Sequence, residues 1–393
     1  MDFAFSAEQE KFRQEVRTFL DRELPPNWVG YLGGTTGDHV VESSQGWQVF
    51  KDIAAKLGRK GWLSLTWPRE YGGQARSYVD YLIFAEEIAR RGSPGYNPIA
   101  VKMLAPTLID YGTEEQKERY LKPIARGEQF WCEGFSEPGA GSDLASLQTK
   151  AVKDGNHFII NGQKTWGTFA KHSGWCFVLA RSDPHSQRYK GLSFFLVDLS
   201  TPGVSVSPIK NLAGESSLGE IFFEDARIPG ENLVSKESEG WRVAQTLLAH
   251  ERTSIEFVAM VKNLIEEIMK YLKANPGIAP VSARDSLARL AIEAEIGRLL
   301  NYRVAWQHDQ GVTTDLYASA AKLYSTELFK RAASAAMRLI GLYGQLDKKE
   351  AIAPLSGWIE HMYLVSFGAT IAAGTSEIQK NIIALRSLSL PKG

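Results

Sequence analysis

The chain has 393 residues, 44% of them hydrophobic and 23% charged, as in an ordinary soluble globular protein, and its length points to two or three domains of roughly 100–200 residues each. Lys plus Arg and Asp plus Glu both number 45, so the formal net charge is zero, and nucleic acid is not an expected partner because a phosphate-tracking surface brings a basic excess. Two cysteines, Cys132 and Cys176, without C-x-x-C spacing, histidines without helical ligand spacing, and no apolar run of about 18 residues argue against a disulfide framework, a metal site and a membrane span. With no basic-then-apolar leader after Met1, the expected location is the cytoplasm.

Ser6 with Gln9 reads as a capping box, and Phe12, Val16, Phe19 and Leu20 recur at the helical period, which predicts an amphipathic first helix. Residues 28–46 read as a long loop, and helical patterning resumes from Trp47 to about Leu57. Trp67-Pro68 to Gly72-Gly73 imposes a break. Helices are predicted over Val79–Ala89 and Val101–Tyr111, and Thr113 with Gln116 caps another that should end near Pro123. Residues 1–127 therefore read as an all-helical domain.

From about residue 128 the pattern changes. Phe158-Ile159-Ile160, Trp175 to Ala180, Leu192 to Val197, Val204-Ser205-Val206 and Ile221-Phe222-Phe223 are short β-branched or aromatic runs separated by turns such as Asp154-Gly155, Asn161-Gly162 and Pro202-Gly203. Residues 128–236 thus read as an antiparallel, barrel-like β domain, and the lack of βαβ alternation excludes a Rossmann unit. Residues 237–393 return to helix over Trp241–Leu272, Ser282–Gln310, Leu316–Leu342 and Thr375–Leu388, the pattern of a four-helix bundle.

Four stretches carry candidate chemistry. Trp131 to Asp143 holds three glycines, a proline and two serines, so it is a loop. It reads either as a connector or as a wall of free N–H groups and hydroxyls facing a ligand. Trp166 and Thr168 follow the Asn161-Gly162-Gln163-Lys164 turn, offering a π surface and a hydroxyl to a fused ring, although surface packing is the commoner meaning of such a Trp. Ala372 to Glu377 opens the last helix with residues suited to an anion or to a plain N-cap. Glu251, beside Arg252 in an apolar helical stretch, is either a general base or half of an ion pair.

In order along the chain, Trp67-Pro68…Gly72-Gly73, Gly112 to Lys117, Ser136-Glu137-Pro138-Gly139-Ala140-Gly141-Ser142-Asp143, Asn161 to Lys164 and Gly374-Thr375-Ser376-Glu377-Ile378-Gln379 match one family. The sequence resembles the FAD-dependent acyl-CoA dehydrogenases over nearly its whole length. The resemblance implies a helical, β, four-helix-bundle fold and α,β-dehydrogenation of an acyl-CoA thioester to the trans-2-enoyl-CoA. It implies an electron-transfer flavoprotein as acceptor and a homotetramer or heterotetramer. Flavin contacts are implied for Phe135, Ser136, Gly141, Ser142, Trp166, Thr168, Thr375 and Glu377, and substrate contacts for Ser142, Arg252 and Gly374.

The departures are informative. Many members carry the catalytic base immediately before the Gly-Thr pair, where this chain has Ala373. A subset places it on the first long helix of the bundle, directly before an arginine, and Glu251-Arg252 matches that position. Ala373 keeps the backbone N–H that, in the family, polarises the thioester carbonyl together with a flavin ribityl hydroxyl, an oxyanion-hole effect. Leu364-Val365 replaces the usual Arg-Asp, and the Arg-x-x-Phe-Gly of a neighbouring subunit's FAD contact is not visible between Tyr271 and Ser282. A silent subunit of a heteromeric enzyme, or a flavin oxidase or monooxygenase, are the alternatives.

Overall fold

The structure is a computed structural model that describes residues 4–26, 28, 43–250, 253–278, 280–312 and 315–391. Most of the loop expected over 28–46 lies outside the described residues, and so do Glu251 and Arg252. The chain forms two compact units, one from Met1–Gly37, Arg76–Pro94 and Arg252–Gly393, the other from Asp38–Ala75 and Gly95–Glu251.

The helices are α1 (Ala7–Glu23), α2 (Ser44–Arg59), α3 (Tyr78–Ala89), α4 (Ala105–Tyr111), α5 (Glu114–Ala125), α6 (Gly240–His250), α7 (Ile255–Ala274), α8 (Ala283–Asp309), α9 (Asp315–Ile340), α10 (Trp358–Ala369) and α11 (Ser376–Ile382). The strands are β1 (Trp131–Gly134), β2 (Lys150–Asp154), β3 (His157–Thr168), β4 (Trp175–Arg181), β5 (Leu192–Asp198), β6 (Val204–Ile209), β7 (Leu218–Pro229) and β8 (Leu233–Val234).

The first unit is helical. Its core joins Val261, Leu264 and Ile268 of α7 to Leu287 and Leu290 of α8, Leu328 and Phe329 of α9, and Trp358 and Met362 of α10. The same unit also buries charges. Arg13 of α1 donates to Glu87 at 2.7 Å and to Glu86 at 3.2 Å, and Tyr302 of α8 donates to Glu86 at 2.8 Å. Burial pushes the Glu86 carboxyl up, but Lys262 and Arg13 outweigh it and hold the group below its usual range. Asp309 accepts from the N–H groups of Tyr78 and Val79 at 2.6 and 3.2 Å, so a carboxylate from the end of α8 caps α3.

The second unit carries one sheet, ordered β6-β7-β3-β2-β4-β5-β8, with β1 beside β4. Most pairings are antiparallel, as expected, but β1 runs parallel to β4, as does the single β2–β4 contact. The β1–β4 register sets Cys132 against Cys176, and both thiols are free and buried. Trp47 and Phe50 of α2 pack on Phe130 and Phe169.

Several helices differ from their sequence patterns. The predicted helix 241–272 is two helices, with Thr253 and Ser254 non-helical. The backbone N–H of Ser254 goes instead to buried Asn301 at 2.7 Å, a tertiary bond that overrides local propensity. Val101–Tyr111 is a π-helical stretch, Ile99–Leu104, followed by α4, whose first turn holds Pro106. A proline there has no N–H for its carbonyl at i−4, and the wider i→i+5 turn accommodates it. The helix expected to end near Pro123 does so at Ala125, with Pro123 inside its last turn. The last helix is α11 continued by a π-helical turn, Ile383–Ser387, and α10 had no counterpart among the expected helices.

Candidate active site

The second unit gathers six of the candidate residues. The Gly-Pro loop leaves β1 at Gly134 and folds on itself at Pro138-Gly139, where Glu137 N–H bonds Ala140 O at 2.9 Å and Ala140 N–H returns to Glu137 O at 3.1 Å. Ser136 is half-buried, while Gly141 and Ser142 are exposed, and a Cβ built on Gly139 or Gly141 would meet no atom within 4 Å. The open face of this loop is therefore free for a ligand. The Phe135 ring packs edge-on against the stacked rings of Phe177 and Phe194 in the core, so only its main chain is available to a cofactor.

β3 runs beside the loop, tied by Thr165 N–H to Ser136 O at 2.9 Å. Its pairing with β7 slips between Lys164 and Gly167, and in that irregularity Trp166 takes φ 66° and is 57% exposed. A left-handed backbone at a bulky residue costs about 1–3 kcal/mol and persists only where its surroundings over-determine it. Here the ladder resumes at once, with Gly167 opposite Gly219 and Thr168 opposite Leu218. The bulge aims a large aromatic outward, next to a half-buried threonine.

Beneath the loop lie two residues whose role the motifs did not reveal. Lys164 is fully buried, and its Nζ donates to Glu137 Oε1 at 2.8 Å and to Phe135 O at 3.0 Å. The Glu137 carboxylate also accepts from the N–H groups of Gln148 at 2.6 Å and Thr149 at 2.9 Å. Both stand inside stretches that the sequence marks, Ser136-Glu137-Pro138 and Gln163-Lys164, so the signal was present, but not what they do.

The first unit holds Ala373, Gly374, Thr375 and Glu377 at one turn and the helix start that follows it. Ala373 and Gly374 have φ 54° and 81°, two successive left-handed residues just ahead of α11. Their carbonyls are pinned: Gln379 Nε2 donates to Ala373 O at 3.0 Å, and Lys322 Nζ of α9 donates to Gly374 O at 2.8 Å. Ala373 is exposed, and no carbonyl among the described residues accepts its N–H. Thr375 caps α11 through its hydroxyl, which accepts Ile378 N–H at 3.2 Å. Glu377 is exposed in the first turn, and hydrogen bonds from its own N–H and from Thr375 hold its carboxyl below the usual range. Gln379 stands in the marked Gly374-to-Gln379 stretch without its role being legible, and Lys322 carries no motif, since amphipathic spacing hides a lysine that serves a turn 52 residues away.

Comparison with known proteins now decides the family. Models described as the N-terminal, middle and C-terminal domains of acyl-CoA dehydrogenase match residues 6–128, 132–226 and 238–388. "Acyl-CoA dehydrogenase FadE26" of Mycobacterium tuberculosis is 33% identical over 100% of this chain and 99% of its own. The chain belongs to the acyl-CoA dehydrogenases. Among solved structures, a "Tcur3481-Tcur3483 steroid ACAD" superposes with a TM-score of 0.89 at 30% identity, covering 100% of both chains. The "ChsE4-ChsE5 complex from Mycobacterium tuberculosis" does so with a TM-score of 0.87 at 32% identity, again over 100% of both.

An acyl-CoA dehydrogenase is an FAD enzyme, and the residues present fit that cofactor. The exposed Trp166 indole, the half-buried hydroxyls of Ser136 and Thr168 and the open glycine face supply an aromatic surface with hydrogen-bonding groups beside it. Ser217, adjacent to the Leu218 that pairs with Thr168, ends in a buried hydroxyl with no partner among the described residues. No helix among the described residues is long and apolar enough to cross a membrane.

Proposed function

We propose that this acyl-CoA dehydrogenase converts a bulky acyl-CoA thioester to its trans-2-enoyl-CoA with Glu251 as the base. The observation that carries the reading is the turn at 372–375, which offers a backbone N–H at Ala373 and no carboxylate at that position. The proton acceptor then comes from elsewhere in the chain, and Glu251-Arg252 stands where a subset of the family keeps it. Ala373 N–H donates to the thioester oxygen, which stabilises negative charge there and acidifies the α-carbon. Glu251 takes the α-proton, Arg252 and Gly374 line the substrate side, and Ser142 meets the thioester arm. FAD, when bound, accepts the β-hydrogen as hydride. Ser136, Trp166 and Thr168 hold its ring system, Thr375 and Glu377 its remainder, and Phe135 and Gly141 contribute main-chain surface.

The similarity to a steroid ACAD and to the ChsE4-ChsE5 complex supports a fused-ring acyl group and a heterotetramer with a second chain of this family. The physiological acceptor is an electron-transfer flavoprotein, and the three sequence segments, 1–127, 128–236 and 237–393, are the domains of the enzyme. Glu251→Gln tests the mechanism. Turnover is expected to fall about 10²–10⁴-fold with the flavin-to-protein ratio unchanged; a wild-type rate would sink the assignment.

The second reading, a silent partner subunit, draws on the same alanine. Purified alone with FAD, the chain would then turn over no CoA ester, linear or steroidal, and Glu251→Gln would change nothing. Reoxidation of the reduced protein by air at the turnover rate would instead point to an oxidase.

A further inference from the structure

We propose that Lys164 is a positioning residue for the flavin-facing wall, holding Ser136 in register with Trp166 and Thr168. The inference rests on the reading above that these three residues meet FAD. One buried ammonium grips the carbonyl of Phe135 and the carboxylate of Glu137, the two residues that flank Ser136. The strand that carries this lysine also donates Thr165 N–H to Ser136 O. Three consecutive loop residues are thereby fastened to two adjacent positions of one strand, and Trp166 follows directly. Glu137 extends the clamp to the N–H groups of Gln148 and Thr149 ahead of β2.

Stability alone does not explain such a pair. Taking two charges out of water offsets most of their attraction, and well-packed neutral replacements are often as stable. What the pair supplies is registry. A loop rich in glycine and open on its outer face has little of its own to fix where Ser136 sits, whereas the buried pair admits one geometry. The left-handed backbone of Trp166 has the same requirement, since a strained residue needs its neighbours held.

The test compares the unsubstituted protein with the double variant K164M/E137Q, with S136A, with T168A and with the triple variant K164M/E137Q/S136A. Lys164→Met alone would strand a buried carboxylate and risk the fold, and the double variant removes both charges together. FAD is titrated into each flavin-stripped protein by flavin fluorescence, visible spectra are recorded, and apoprotein melting is followed as a folding control. The expected result is an FAD Kd raised at least about tenfold in the double variant, with a shifted flavin absorption band and an apoprotein that still melts cooperatively. The S136A effect on Kd should disappear in the triple variant, because a residue acting through Ser136 couples to it. Wild-type Kd and spectrum in the double variant, or an S136A effect that adds in full, would overturn the proposal while leaving the cofactor assignment intact. If instead S136A and T168A both bind FAD as the unsubstituted protein does, the cofactor assignment itself fails.

Discussion

Burial drives the Lys164 ammonium from its ordinary 10.5 to about 8, against the pull of Glu137 from the loop and of Cys176 on β4. Cys132 and Glu133 of β1 stand behind that thiol, whose own titration burial pushes well up. The folded chain thus releases the lysine proton at a lower pH than the unfolded chain. Between about 8 and 10.5 the unfolded state binds more protons, so this group's contribution to stability grows as pH rises through that window. Glu137 behaves in the usual carboxylate way. Burial raises it, Lys164 prevails, and its contribution is present above 4.5 and lost as pH falls through the lower folded value. Melting curves across this range are expected to show both slopes, and K164M/E137Q should flatten them. Legibility at this scale was partial: the Ser136-to-Asp143 motif marked an open loop, but a carboxylate sunk onto a lysine 27 residues away leaves no periodic trace.

Local signals were the most readable elements. The two capping boxes, Ser6 with Gln9 and Thr113 with Gln116, form as the sequence implied, because each closes within four residues and needs no tertiary partner. Thr113→Ala is expected to cost about 1 kcal/mol, read as a shift in the denaturation midpoint. The paired glycines after Trp67-Pro68 are equally intelligible once built. A Cβ on Gly73 would lie 2.0 Å from Trp67 O, so Gly73→Ala must move backbone, a destabilisation of about 1–3 kcal/mol in the same assay. The misread elements answer to distant residues. Asn301 draws Ser254 out of the helical pattern, and the buried face of α10 mixes Trp358, Ile359 and Met362 with Ser366 and Ala369, so its hydrophobic period is blurred.

The helix, strand, helix succession of the whole chain was plain from composition, and the parallel pairing of β1 with β4 was not, since pairing direction depends on where distant strands meet. If the enzyme works as a heterotetramer, light scattering should report a smaller species for the chain alone than after co-expression with its partner, and steroid-type CoA turnover should rise on pairing. The buried Arg13, Glu86, Glu87 and Tyr302 cluster has its own consequence, in the order of synthesis. Arg13 leaves the ribosome 289 residues before Tyr302, a wait of roughly 15–60 s at ~5–20 residues per second. Through that interval α1 carries Phe12, Val16 and Phe19 with no α8 to complete their unit, and the β sheet's unit emerges in full before α8 does. A chain terminated before α8 is therefore expected to be cut by added protease sooner within α1 than within its sheet, because α1 would lack the helix that completes its unit.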